Sequence, residues 1–286
     1  MTEVTQRDAA APLAAVTPDA WQSLRTVTSA RIALGHAGVS LPTAAHLQFQ
    51  LAHARARDAV MHPLDSAELS LSLAITQRRL TDGPIAPVLS LCSQPTSLDE
   101  YLANPRLGAL LDDASRRILD ESEREADRES ALASDGYDVA FVIADGLSAV
   151  AVERHAPRTL ALVLPALREW CIAPISVVRH GRVAIGDEVG ALLRARMCVV
   201  LIGERPGLSA PDSMGMYLTW QPRPGRTNAE RNCISNVRPD GLGYEAAARR
   251  LVWLMNAARR SEMTGVGLKE DAPLLRTDRV RPITAD

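Results

Sequence analysis

The stretch MCVVLIGERPGL, Met197 to Leu208, decides the fold. From Met197 to Gly203 it is apolar without the alternation of a half-wetted strand, so it reads as a strand covered on both faces. It then breaks into a carboxylate, a guanidinium and a Pro-Gly turn, Glu204 to Gly207. A buried strand of an α/β sheet delivers the chain to a ligand in this way.

Two further runs of the same kind lie upstream, DVAFVIADG (138–146) and APISVVRHG (173–181). Helical patterns separate the three runs, PRTLALVLPALREW (157–170) and GDEVGALLRAR (186–196). Strand, helix, strand, helix, strand predicts a parallel sheet with right-handed crossovers. The pieces MYLTW (216–220) and ISNVR (234–238) are strand-like, and GYEAAARRLVWLMNAARR (243–260) closes the pattern as an amphipathic helix.

Upstream the pattern is helical with interruptions. In TAAHLQFQLAHARARDAV (43–60) the residues Leu47, Leu51, Ala54 and Ala59 share a face, and Thr43 after Pro42 suits an N-cap. The opposite side carries His53, Arg55, Arg57 and Asp58, which is either a solvated face or a contact for a partner chain. Residues 112–130 form a charge-laced helix, read as facing water, with Asp120 and Arg124 four apart. The predicted class is α/β: a Rossmann-like parallel sheet domain preceded by a helical N-terminal region. Its expected divisions are a disordered leader (1–18), a helical region with partner contacts (19–134), the sheet domain (135–269) and a loose tail (270–286).

Composition narrows the function classes. A net charge of -2 argues against a nucleic-acid surface. No apolar run approaches the ~18 residues of a membrane helix. Lys269 is the one lysine, which nearly removes a Schiff base or a P-loop lysine. Cys92, Cys171, Cys198 and Cys233 are far apart and pair into no metal or disulfide spacing, which points to a reducing cytoplasm. The six histidines match no metal motif, and G-x-G-x-x-G, G-x-S-x-G and H-E-x-x-H are absent.

Parallel strands end at one edge, so three polar loops should converge there: Ala144–Ser148, Arg179–Val183 and Gly203–Gly207. Mixed donors and acceptors with glycines imply a site for a polar organic ligand that brings its own chemistry. The plainer alternative has Asp145 and Ser148 capping a helix and Glu204 paired with a local arginine such as Arg205.

The segment GERPGLSAPDSMGMYLTWQPRPGRTNAERNCISNVRPDGL (203–242) resembles the small, or light, subunit of ethanolamine ammonia-lyase. TSARIALGHAGVSLPT (28–43), LAHARARDAV (51–60) with the PLD at 63–65, and the ADGLSA (144–149) and GRVAIGDEVG (181–190) pair agree with it. The likeness runs from about Thr28 to Lys269. It implies an adenosylcobalamin-dependent lyase in which a large barrel subunit holds substrate and turns ethanolamine into acetaldehyde and ammonia by radical rearrangement. This chain would help bind the cobalamin through Val183, Glu204 and Cys233. It would carry no catalytic residue and no ligand to cobalt, the cofactor staying base-on. The expected location is the cytoplasm, with a bacterial microcompartment as the alternative. The competing functions are a non-catalytic scaffold with an empty sheet edge and a nucleotide-binding oxidoreductase.

Overall fold

The computed structural model describes residues 15–28, 30–80, 86–128 and 136–269. Most of the expected leader and all of the expected tail lie outside these. The chain divides into two compact units, the first ending at Ala56 and the second starting at Arg57.

In the first unit the described chain is a short 3-10 turn (Gln22–Thr26), a bridge between Thr17 and His36, and the opening turns of helix α1 (Thr43–Met61). The Pro42 carbonyl accepts the first helical bond, from His46 N at 3.0 Å, so Thr43 begins α1 rather than capping it. Its expected apolar face is only partly buried: Ala59 is covered and Ala54 half-buried, whereas Leu47 and Leu51 are 62% and 51% exposed.

The second unit continues with α2 (Ser66–Leu80), β1 (Leu89–Cys92), α3 (Leu98–Ala103), α4 (Asp113–Arg128), β2 (Val139–Ala144) and α5 (Ala149–Val163). It ends with β3 (Ser176–Arg179), α6 (Ile185–Leu192), β4 (Met197–Gly203), β5 (Met214–Trp220), β6 (Arg231–Val237) and α7 (Tyr244–Ser261). The six strands form one sheet in the order β1-β3-β2-β4-β5-β6. The first four are parallel, as expected for β2, β3 and β4 from their apolar runs. The sheet is nevertheless mixed, because β5 lies antiparallel between β4 and β6. No helix intervenes between β4 and β5, and a short loop returns a strand in the opposite direction.

Three other features depart from the sequence reading. Strand β1 falls in a stretch expected to be helical; it adds an edge to the sheet by pairing Leu89 to Cys92 with Ser176 to Arg179. Helix α5 begins at Ala149, not Pro157, which sits buried inside it. A proline in a helix loses one N–H bond and crowds the turn before it, a penalty that packing on both sides offsets here. Helix α4 is not merely wetted: Leu119 is buried, and Arg116 reaches Glu188 at 2.7 Å while Glu123 receives Arg194 at 2.6 Å.

Side chains alternate along the strands and build two cores. Val139, Phe141 and Ile143 of β2 and Met197, Val199 and Leu201 of β4 face α2, α5 and α7. Ala140, Val142 and Ala144 with Cys198, Val200 and Ile202 face α4 and α6. The second face is lined by smaller residues, and α6 lies close on it. A side chain at Gly186 would strike Val200, and one at Gly190 would strike Pro222. The glycines of GDEVG therefore serve close helix–sheet contact.

Candidate functional site

The carboxyl edge is built around Asp145, which follows β2. Its carboxylate is buried and accepts His180 N at 2.8 Å and Gly181 N at 3.0 Å, one bond on each oxygen. Burial pushes its pKa up to about 6 although these amides hold it down. Ser148 occupies the N-cap position of α5, but neither its side chain nor that of Asp145 makes a capping bond; the Ser148 hydroxyl donates to the Pro211 carbonyl at 3.1 Å. Leu147 N donates to Gly203 O at 3.1 Å, which ties the β2 loop to the end of β4. The three loops expected to meet are thus brought together, the β3 loop by the Asp145 carboxylate and the β4 loop by a main-chain hydrogen bond.

The turn from Arg179 to Val183 is fixed on every side. Ser93 Oγ donates to the carbonyls of Arg179 (3.1 Å) and His180 (2.7 Å), and Tyr101 Oη donates to Gly181 O at 3.0 Å. Arg182 N donates to Gly108 O at 2.7 Å. A side chain at Gly108 would strike the His180 carbonyl, Tyr101 and Arg182. His180 itself has φ +57°, a left-handed conformation that persists because its surroundings over-determine it. Nothing in the sequence singled out Ser93, Tyr101 or Gly108, since each acts only through contacts distant in the chain.

Asp145→Asn gives a check on this arrangement. The folded carboxyl titrates near 6 against 3.8 unfolded, so it favours the fold at low pH and that contribution fades as pH rises through 6. Asparagine does not titrate and turns an NH2 toward one of the two amides. The stability gap between wild type and variant should therefore narrow by on the order of 2–3 kcal/mol from pH 4 to pH 7.5. Melting curves of both proteins across that range measure it; a constant gap would mean Asp145 is not the titrating group.

The sequence-predicted residues fall on one side of the sheet. Val183 is half-buried against the core under α6. Glu204 is also half-buried, but its partner is not Arg205, which is exposed. Its Oε2 receives the Ser213 hydroxyl, and Asn236 N lies 3.3 Å from both oxygens. A carboxylate has about four acceptor positions, so this engagement leaves capacity for a further donor. Cys233 is exposed on β6, directly opposite half-buried Tyr217 on β5. Tyr217 packs on the core under α6, as Val183 does. Sequence reasoning missed Tyr217; the alternation of MGMYLTW places it opposite Met216 and Leu218, and was the available signal.

Two carboxylates of GDEVG serve structure. Asp187 makes a bidentate pair with Arg231 at 2.6 and 2.7 Å, with both side chains at most 3% exposed. Glu188 accepts Leu111 N and Arg116 Nε, each at 2.7 Å. His155 is likewise structural, sandwiched between Tyr244 Oη (2.8 Å) and the Asp212 carbonyl (2.8 Å), with its pKa lowered by burial.

Between the β2 and β3 loops lies a crevice of about 160 Å³ lined by His62, Leu98, Asp145, Gly146, Arg179 and His180 among others. That is below the ~300–1,000 Å³ of sites that enclose a drug-sized ligand. A large ligand at this edge must therefore lie on an open face rather than in a pocket.

The family described as ethanolamine ammonia-lyase light chain matches residues 18–269. The ethanolamine ammonia-lyase small subunit of Ralstonia nicotianae is 52% identical over 270 residues, covering 93% of this chain and 94% of that one. That of Azotobacter vinelandii is 52% identical over 264 residues, covering 92% of each. That of Xanthomonas campestris pv. campestris is 50% identical over 264 residues, covering 91% of this chain and 92% of that one. With identity of this order along nearly the whole length of both chains, this protein belongs to the ethanolamine ammonia-lyase light-chain family.

Proposed function

We propose that this chain is the small subunit of an ethanolamine ammonia-lyase. Its sheet domain, Rossmann-like in its four parallel strands β1-β3-β2-β4, presents a binding surface for adenosylcobalamin to a large subunit that holds ethanolamine. The observation supporting the cofactor assignment is that Val183 and Glu204 lie at the carboxyl edge and Cys233 on the sheet beside them, level with Tyr217, next to a turn held by several main-chain bonds. The donor set suits the group. Cobalamin is a broad macrocycle fringed with amides, which need acceptors and donors side by side. Here a carboxylate, a guanidinium (Arg182), a phenol and a thiol offer both.

When bound, adenosylcobalamin supplies a cobalt–carbon bond that breaks homolytically; the protein binds and orients it. In this chain Glu204 would accept from an amide of the cofactor rim. Val183 would pack on the ring edge, and the backbone near Cys233 would complete the contact. The cofactor is expected base-on, with no ligand to cobalt from this chain. The partly uncovered apolar face of α1, with Leu47 and Leu51, suits burial against the large subunit. Among the described residues no helix is long and apolar enough to cross a membrane. This accords with a cytoplasmic enzyme, free or inside a microcompartment.

The assignment of roles predicts dependence on the partner. The purified complex with its large subunit, supplied with adenosylcobalamin, should release acetaldehyde and ammonia from ethanolamine. Either chain alone should not. Turnover by this chain without the large subunit would overturn the division of labour, and a complex inactive with cofactor present would overturn the reaction.

A further inference from the structure

The helices leave part of the sheet bare. On the face that packs against α4 and α6, those helices cover β1, β2, β3 and β4; α7 packs on β5 and β6 from the opposite face. Among the described residues α6 reaches this side of β5 and β6 at their Thr219 and Arg231 end, through the Asp187 pair, and no helix covers it around Tyr217 and Cys233. Tyr217 stands at the centre of this exposed strip.

We propose that Tyr217 is a further cofactor-binding residue, whose ring supports the edge of the corrin macrocycle and whose hydroxyl donates to one of its amide carbonyls. The proposal rests on the reading of this surface as a cobalamin site and extends it to a residue that the family resemblance did not single out.

The surroundings of the ring carry the argument. Cys233 is its cross-strand partner, so the two share one face of the ladder. Gly215, two residues back on the same face, has no side chain, and a Cβ there would lie 3.0 Å from Glu204 Oε1 and 3.2 Å from Tyr217 Cε2. The glycine thus lets the carboxylate and the phenol stand side by side where the pairing of β5 with β6 shifts register. Arg182, the residue before Val183, acts electrostatically on the same phenol. Tyr217 is therefore the element common to the three candidate positions, touching or facing the neighbourhood of each. Burial, a hydrogen bond with the Cys233 thiol and the nearby Glu204 push its pKa up to about 12, so the hydroxyl keeps its proton and remains a donor. The ring packs on the core with its inner face, and its polar tip meets the Cys233 sulfur, a weak acceptor that a cofactor carbonyl can replace.

The cofactor-free complex of both subunits is titrated with hydroxocobalamin, following the visible spectrum of bound and free corrinoid after ultrafiltration. Tyr217→Phe removes only the hydroxyl and should weaken binding about 2- to 10-fold. Tyr217→Ala removes the ring as well and should weaken it about 10- to 100-fold. The melting temperature of the cofactor-free complex should be the same for wild type and Tyr217→Phe, which separates binding from structural support. Glu204→Gln serves as the reference variant for the wider reading. If it weakens binding while both Tyr217 variants bind as wild type does, the Tyr217 proposal falls and the surface stands. If the wild-type complex itself takes up no hydroxocobalamin, both fall. A lower melting point for Tyr217→Phe with unchanged corrinoid affinity would make the hydroxyl a structural group and overturn the proposal.

Discussion

Asp187→Ala should lower the melting temperature of the protein by roughly 6–20 °C. Removing one partner of a buried ion pair typically costs about 3–5 kcal/mol, and a domain of this size loses about 2–4 °C per kcal/mol. The pair is deeply buried, and burial itself pushes the Asp187 carboxyl upward against the pull of Arg231. Such a pair adds little net stability compared with apolar residues of the same volume, but half of it is costly. The two halves differ. An orphaned Asp187 can take up a proton, whereas an orphaned Arg231 cannot shed one. Asp187→Ala should therefore be more damaging than Arg231→Leu, and the double variant Asp187→Leu with Arg231→Met should regain part of the loss. Melting curves of the three variants in complex with the large subunit decide it. Equal losses in the two single variants would mean that Arg231 serves mainly through its bonds to Thr219 Oγ1 (3.0 Å) and Arg226 O (2.9 Å).

Gly203→Ala is expected to be similarly harmful through shape alone. A Cβ at this position would run into the carbonyl oxygens of Ser148 and Asp145, which are main-chain atoms that cannot rotate away. Forcing extra volume into a packed site costs about 1–3 kcal/mol and more where backbone must move. Here the backbone that must move joins the β2 loop to the end of β4, through Leu147 N and Gly203 O. The substitution should thus lower stability by about 2–3 kcal/mol or more and also loosen the surface around Glu204. The expected readings are a melting point lower by roughly 4–12 °C and weaker hydroxocobalamin retention by the complex. Wild-type values for both would show that the loops have more room than their contacts indicate.

The elements of the sheet were legible to different degrees. Strands β2, β3 and β4 announced themselves because a strand covered on both faces must be apolar throughout, and runs such as VAFVIA and MCVVLIG have few other readings. Strand β1 did not, since four residues at a sheet edge with one exposed face leave too short a pattern, and the strand exists only through its pairing with β3. The start of α5 was misplaced because proline is a strong local signal for a helix start, and the packing of α5 on the sheet beside α7 outweighs it.

The site divides along the same line. Its loops could be gathered from the order of the strands, and Val183, Glu204 and Cys233 as proposed cofactor contacts from the likeness of their motifs to a known family. Partners could not. Glu204 turned out to engage Ser213 and Asn236 rather than Arg205, and Asp145 the amides of His180 and Gly181 rather than a helix end. By itself the sequence determined which segments are buried on both faces, in what order they succeed one another, and to which family the whole belongs. Those properties reside in hydrophobic pattern and local motif. Only the tertiary structure decided that GDEVG is a packing and ion-pair motif, that Ser93 and Tyr101 hold the turn before Val183, and that Tyr217 stands half-buried opposite Cys233. Each of these depends on contacts between residues far apart in the chain, and neither periodicity nor spacing records which side chains close packing will set against one another.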